Sequence, residues 1–165
     1  MRILGIDPGF ALMGYGVVDQ KSGKYTPVEY GSLETTKNMA MQDRLKALYD
    51  GMTAIIERTR PEQAAIEELF FNRNITTAIF VAQARGVAIL ACANAGIPVA
   101  EYTPMQIKQS IAGSGKADKH QMQQMTKMLL GLSEVPKPDD TADALAAAIC
   151  HGTRTLSSNR VVVRR

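Results

Sequence analysis

The sequence lacks the patterns that mark secreted, zinc-binding and membrane-spanning proteins. Its two cysteines, Cys92 and Cys150, are far apart and without zinc-ligand spacing, and each stands in an apolar helical pattern. They therefore predict reduced thiols in a core rather than a disulfide framework. Neither a signal-type apolar segment at the start nor an uncharged apolar run of about 18 residues is present, which disfavours secretion and membrane spanning. We expect a cytoplasmic protein.

Two nucleotide-binding motifs are incomplete. Gly14 and Gly16 lack the third glycine and the following helix of a dinucleotide-binding fingerprint. The Gly-Ser-Gly-Lys segment at 113–116 resembles a phosphate loop only in part, because Ser110 and Ala117 replace required residues and a helix precedes it. Gly14 and Gly16 instead predict a strand face on which another backbone approaches closely or the strand bends.

The length of the chain indicates one folded domain. A chain of 165 residues can bury a substantial core. The formal charge of +3 is compatible with a polyanionic partner but does not identify one. We predict one folded domain over residues 1–157 and a flexible C-terminal tail over 158–165.

Hydrophobic periodicity predicts an α/β fold. Strands near 3–6, 12–19 and 25–34 form an antiparallel meander. A helix over 41–58, which ends before a proline, separates the meander from a strand at 63–67, so this strand can lie parallel to the first. Later elements are a helix at 76–95, a strand at 99–102, and helices at 104–112, after 118 and from 139. The expectation is a five-stranded mixed sheet flanked by helices.

The helix predicted at 76–95 is apolar on nearly all sides. Such a helix has almost no face suited to solvent. One side should pack on the sheet and the other on a second copy of the same helix across a two-fold axis, which predicts a homodimer.

Two carboxylates follow predicted strands. Asp7 stands at the exit of the first strand, and Glu67 at the exit of the fourth. Because these strands are predicted to be parallel, both side chains should leave the sheet at the same edge. A carboxylate near a core is costly unless it is paired or holds a metal. Taken singly, Asp7 is more often a turn former and Glu67 a solvated strand end.

A third group of acids opens the last helix. Asp140 and Asp143 are three residues apart, and Asp139 and Asp143 are four apart, so either pair shares one helical face. Acids at a helix start also stabilise the helix dipole, which is the ordinary reason for them. With small Ala142 and Ala146 beside them, that face can lie close to the sheet and bring two carboxylates to Asp7 and Glu67. Spacing alone does not choose between Asp139 and Asp140.

Four carboxylates in one place would repel one another without cations. Oxygen donors without histidine or thiolate favour magnesium or manganese over zinc. Two such ions about 4 Å apart suit in-line displacement at a phosphodiester, with Asp7 bridging them. Lysines between Lys108 and Lys119 would then neutralise the scissile phosphate.

The combination of motifs resembles the RuvC family of bacterial Holliday junction resolvases, within the ribonuclease H-like superfamily. The motifs, in order along nearly the whole chain, are Ile-Leu-Gly-Ile-Asp-Pro-Gly at 3–9, Ala-Ile-Glu at 65–67, Tyr-Thr-Pro at 102–104, Ile-Lys-Gln at 107–109 and Asp-Thr-Ala-Asp-Ala-Leu-Ala at 140–146. The resemblance implies a structure-selective endonuclease that makes paired symmetric nicks in a four-way junction, in homologous recombination and DNA repair.

The resemblance also implies residue roles and partners. The catalytic and metal-binding acids would be Asp7, Glu67, Asp140 and Asp143, with two Mg²⁺ per subunit and Mn²⁺ as a substitute. The DNA-binding residues would be Lys108, Lys119 and Phe70, the last as an aromatic that helps to open base pairs, with Lys116 in the glycine loop as an extra phosphate contact. The expected partners are junction DNA, a second identical subunit, and the branch-migration proteins RuvA and RuvB.

Other interpretations remain open at this point. The acids could merely cap and bend structure in a junction-binding clamp that does not cut. The Gly-Ile-Asp-Pro-Gly segment at 5–9 also resembles the phosphate loop of an actin-like ATPase or sugar kinase, although those proteins need two such lobes. A ribonuclease H acting on RNA–DNA hybrids would share the fold and differ in substrate. Phe70 and Phe71 would by default be core or interface residues, and the three lysines ordinary solvent-facing cations.

Overall fold

The structure, a computed structural model, describes residues 1–69 and 75–160. Its five strands are β1 Arg2–Asp7, β2 Leu12–Lys21, β3 Lys24–Glu34, β4 Gln63–Glu67 and β5 Val99–Tyr102. They form one mixed sheet in the order β3-β2-β1-β4-β5. The first three strands pair antiparallel, whereas β4 pairs parallel with β1 and β5 parallel with β4. The meander and the parallel fourth strand predicted from the sequence are confirmed.

The helices are α1 Met41–Thr59, α2 Ile75–Asn94, α3 Pro104–Ala112, α4 Lys119–Leu130 and α5 Asp139–Arg160. Thr103 before Pro104, and Asp118, are N-cap residue types in the sequence, and α3 and α4 begin there with complete capping boxes, in which Thr103 pairs with Gln106 and Asp118 with Gln121. The backbone of α5 continues past residue 157, and residues 161–165 lie outside the described part.

The pairing of β1 with its neighbours determines the position of its last residue, Asp7. Ile6 lies beside Ile66 of β4 in parallel register, and Asp7 lies opposite Gly14 of β2. Asp7 and Glu67 therefore end adjacent strands at the same edge of the sheet.

The sheet is covered on both faces. One core contains α1 and α2 packed on residues such as Leu4, Ile6 and Ile66, and the other contains α3, α4 and α5 packed on residues such as Ile3 and Ala65. Alternation along β1 and β4 thus supplies both cores from the same strands.

The backbone of helix α5 packs very close to the backbones of β1 and β2. A Cβ atom added at Gly5 would lie 1.9 Å from the carbonyl oxygen of Ala144, and one at Gly14 would lie 2.0 Å from that of Asp140. Only glycine permits this contact between helix backbone and strand. The close approach predicted for Gly14 is therefore confirmed, and it brings the first turn of α5 over the end of β1.

Helix α2 buries a narrow face. Ala84, Ala88 and Cys92 are buried, whereas Ile79 and Leu90 are 53% and 51% exposed. By length and composition alone, Thr77–Asn94 could cross a membrane, with 22% of that window buried, although such a match is weak evidence. An apolar surface of this kind also suits a second protein subunit.

Two details of the helices differ from the sequence prediction. The apolar spacing of Met122, Met125 and Met128 in the sequence predicts Met128 in the core, but α4 buries Met122, Thr126 and Leu130 at four-residue steps, which turns Met128 outward with 64% exposure. The sequence also suggests a helix-end position for His151, whereas His151 lies inside α5 and is 8% exposed, because the helix continues to Arg160. Both cysteines are buried and unpaired, as predicted.

Candidate active site

Four carboxylates from three elements converge at the edge of the sheet where β1 and β4 end. Burial raises the pKa of Asp7 to about 8, and repulsion from Asp143, Asp140 and Glu67 adds to the shift. Since each of these three acids acts on Asp7, the structure brings together all four acids that the sequence singled out. The two strands supply Asp7 and Glu67, and the first turn of α5 supplies the other two.

The neighbouring acids are perturbed in the same direction. Burial raises the pKa of Glu67, with a further contribution from Asp143 and an opposing one from Lys108. Burial also raises the pKa of Asp143, against the favourable field of Lys119. Burial and mutual repulsion therefore oppose ionisation of Asp7, Glu67 and Asp143 more than the two lysines favour it.

No ion pair in the described part of the chain involves any of these four acids. Half-buried, mutually repelling oxygen donors that lack a direct ion pair fit a hard divalent ion by donor type and charge. The fit does not extend to a preformed coordination shell, because no group of three acidic, histidine or cysteine side chains within residues 1–69 and 75–160 is arranged to hold a metal.

Asp139 and Asp140 lie on different sides of α5. Asp140 acts on Asp7, whereas Asp139 is exposed and faces α4. There its Oδ2 lies 2.7 Å from Lys119 Nζ, and its Oδ1 accepts a hydrogen bond from Gln123 Nε2 at 2.9 Å. Of the two acids that spacing left open, Asp140 is the one that acts with Asp143 on Asp7.

Two of the predicted lysines lie beside the acids. A cavity of about 230 Å³ is lined by Glu67, Lys108, Lys119 and Asp143, together with Pro104, Ile107, Met122 and Ala146. The cap at the start of α3 places Lys108 in its second turn, and Lys119 is the first residue of α4. An adjoining cavity of about 250 Å³ is lined by Asp7 and also by Glu67. Asp7, Glu67, Asp143 and the two cations therefore line adjoining parts of one cleft.

The other two DNA-binding predictions are placed differently. Lys116 is exposed and lines a separate hollow with Ser114 and Gln121, away from the acids. Phe70, like Phe71, lies outside the described residues. The roles of Lys116 and Phe70 stay predictions.

The sequence prediction missed a partly buried polar network between α5 and the sheet. Tyr102 Oη and His151 Nδ1 are 2.7 Å apart, and His151 Nε2 contacts Gln63 Oε1. Burial lowers the pKa of His151, which favours the neutral ring; its Nε2–H then donates to Gln63 and its Nδ1 accepts from Tyr102. The network ties α5 to β4 and β5. Its signal was available, since His151 follows Asp140 by eleven positions and so shares its helical face.

Comparison with known proteins agrees with this architecture. Residues 3–151 match the family model for crossover junction endodeoxyribonuclease RuvC. The chain is 56% identical over 161 residues to a crossover junction endodeoxyribonuclease RuvC from Desulfitobacterium hafniense, covering 98% of each.

Solved structures give the same result. RuvC from Thermus thermophilus is similar with a TM-score of 0.89 at 36% identity, covering 96% of this chain and 97% of that one. The same protein in complex with a Holliday junction substrate gives a TM-score of 0.92 at 36% identity, covering 96% of each chain. The ribonuclease H-like fold expected from the sequence is therefore confirmed.

Proposed function

The chain belongs to the RuvC family of crossover junction endodeoxyribonucleases, and on that premise we propose that it resolves Holliday junctions by paired symmetric nicks that depend on two divalent metal ions. As a member of this family it is a nuclease, that is, a hydrolase of phosphodiester bonds. The biological setting that we propose is homologous recombination and DNA repair in the cytoplasm, in company with RuvA and RuvB.

The observation that carries the proposal is the state of Asp7. Burial and three neighbouring carboxylates raise its pKa to about 8, and no lysine or arginine in the described part of the chain forms an ion pair with it. A fold does not gain stability from such an arrangement, because ionising Asp7 is opposed by its surroundings. Strongly perturbed acids in a cleft are typical of a functional site.

We propose Asp7, Glu67, Asp140 and Asp143 as the ligands of two Mg²⁺ ions, with Mn²⁺ able to replace them. When bound, the ions supply an activated water and stabilise the departing 3′ oxygen. The protein's part is to hold four carboxylates on rigid elements and to release the proton of Asp7 as it becomes a ligand. The close contact of the α5 backbone with Gly5 and Gly14 supports that rigidity.

Lys108 and Lys119 would orient the DNA at the cleft. Both line the cavity that contains Glu67 and Asp143. Their ammonium groups can neutralise the phosphates on either side of the scissile bond, which binds DNA regardless of sequence. We propose Lys116 as a contact to a more distant phosphate and Phe70 as a wedge between base pairs at the crossover.

Two symmetric nicks require two cleavage sites, and a homodimer would supply them. The exposed apolar side chains of α2, Ile79 and Leu90, lie on the helix that the sequence predicts to face a second copy. Burial of this surface between subunits would remove it from water and fix the two clefts relative to one another.

The direct test is cleavage of a synthetic four-way junction, with product mapping on both strands. The unmodified protein should make symmetric nicks with Mg²⁺ and none with a chelator, whereas Asp7→Asn should bind the junction without cutting it. Asp19→Asn is the matched control, since Asp19 is a carboxylate of the neighbouring strand at the opposite end of the sheet. Cleavage that survives Asp7→Asn would remove Asp7 from the mechanism.

Substrate comparison separates the proposal from its alternatives. Binding without incision under any divalent ion would leave only a junction-binding clamp. Faster cutting of an RNA–DNA hybrid than of a junction would indicate a ribonuclease H activity instead.

A further inference from the structure

Asp139 makes a forked contact that spans two helices. It is the first residue of α5, and its two carboxylate oxygens lie 2.7 Å from Lys119 Nζ and 2.9 Å from Gln123 Nε2. Lys119 and Gln123 are four residues apart on one face of α4. The carboxylate therefore fixes the start of α4 to the start of α5.

Lys119 is an unusual choice for its position. It is the first residue of α4, where the positive end of the helix dipole disfavours a cation. It nevertheless lines the cavity that contains Glu67 and Asp143. A residue that breaks a local rule of helix stability at a cleft is a candidate for function. Asp139 is the partner that offsets the disfavoured charge.

We propose that Asp139 is a positioning residue, which holds the ammonium group of Lys119 at the mouth of the acidic cleft while a DNA phosphate binds the same ammonium group. The inference rests on the proposed function, since it takes the second anion on Lys119 to be a phosphodiester. It goes beyond that function because it gives a task to an acid that is turned away from Asp7.

The pair leaves Lys119 accessible to a second anion. The side chains of Lys119 and Asp139 are 61% and 52% exposed, and exposed ion pairs are weak. Because an ammonium group has three donors, a phosphate can bind Lys119 from the solvent side while the carboxylate of Asp139 stays in contact with it.

The two roles predict opposite effects of Asp139→Asn on binding and on cutting. Binding of the junction should tighten about 2-fold to 3-fold, because the carboxylate no longer shares Lys119 with the phosphate. The single-turnover cleavage rate at saturating protein should fall about 3-fold, because Lys119 is no longer held in place. Asp139→Glu keeps the carboxylate and should restore the rate.

The experiment measures junction affinity without divalent metal and the single-turnover rate with Mg²⁺ in a double-mutant cycle of Asp139→Asn with Lys119→Met. Both effects of Asp139→Asn should disappear in the Lys119→Met background. Glu134→Gln is the matched control, because it removes an exposed negative charge from the loop before α5 and lies outside the cleft. Its rate should match that of the unmodified protein within about 2-fold.

Several outcomes would overturn the inference. An unchanged rate and affinity in Asp139→Asn would make the contact an ordinary surface ion pair. Effects of equal size in the Lys119→Met background would mean that Asp139 acts independently of Lys119. The affinity arm decides the inference even if the unmodified protein fails to cut, a result that would reject the proposed function by itself.

Discussion

The two ends of the central strand β1 hold their charges in opposite ways. At its start, Arg2 donates from Nε and Nη2 to Asp19 at 2.9 and 2.8 Å, and from Nη1 to the carbonyl of Thr59 at 2.8 Å. At its end, Asp7 faces three other acids. The hydrogen bond with Arg2 lowers the pKa of Asp19, whereas burial raises that of Asp7 to about 8.

The start of β1 serves the stability of the fold. Arg2 and Asp19 satisfy one another and cross-link β1 to β2, so their arrangement needs no ligand. At the acidic end, burial and repulsion oppose the ionisation of Asp7, and the rest of the fold must offset this cost. Such a contrast within one strand is the expected sign of stability given up for function.

The largest expected effect is on catalysis at the acidic end. Glu67→Gln should lower the single-turnover cleavage rate by about 1000-fold, because it removes one of the carboxylates proposed to hold the metal ions. Asp19→Asn at the opposite end should change the rate by less than about 3-fold. Both rates are measured on the same junction with Mg²⁺. Equal losses of rate in the two variants would contradict the assignment of cleavage to the acidic end of β1.

Without metal, ionisation of Asp7 should destabilise the fold as pH rises. The pKa of Asp7 is about 8 in the fold against a usual 3.8, so its contribution to stability is fully present below about pH 4 and is lost as pH rises to 8. At pH 8, Asp7→Asn should raise the free energy of unfolding by about 1–3 kcal/mol. Asp19→Asn should lower it by about 1 kcal/mol.

Denaturant titrations of the metal-free proteins at pH 5 and pH 8 provide the measurement. The stabilisation by Asp7→Asn should be larger at pH 8 than at pH 5, since more of the ionisation cost is present there. A variant that is less stable than the unmodified protein at pH 8 would show that Asp7 is favourably paired.

Much of the fold could be predicted because its signals are local. Apolar periodicity, Pro61 and the caps at Thr103 and Asp118 identify the elements, and the helix between β3 and β4 indicates a parallel strand. The outward turn of Met128 could not be predicted in this way, because the side of α4 that meets the core depends on how the helix docks.

The candidate site was predictable for a different reason. Four acids at element ends are a strong pattern in combination, although Asp139 and Asp140 are equivalent by spacing. The choice between them depends on the rotation of α5, which follows from its contact with Gly5 and Gly14. That contact joins residues more than a hundred positions apart, so no local pattern reveals it.

A third, smaller effect tests the polar network between α5 and the sheet. Tyr102→Phe removes the hydroxyl that donates to His151 and should lower the free energy of unfolding by about 1 kcal/mol, because a buried acceptor loses its partner. Tyr49→Phe is the control, since Tyr49 accepts an exposed hydrogen bond from Asn94 at 2.8 Å. Thermal unfolding of both variants measures the difference. A larger loss in Tyr49→Phe would contradict the importance given to the buried network.

The smallest expected effect separates the lysines within the functional end itself. Lys116 lies in a hollow apart from the acids, whereas Lys119 lines their cleft. Lys116→Met should weaken junction binding and reduce the dependence of log Kd on log salt concentration by about one unit, as the loss of one phosphate contact requires. Its cleavage rate at saturating protein should stay unchanged, whereas that of Lys119→Met should fall. Binding titrations at several salt concentrations, with single-turnover rates, measure both quantities. A lower saturating rate in Lys116→Met would show that the glycine loop takes part in cleavage. It would contradict the assignment of Lys116 to DNA binding alone.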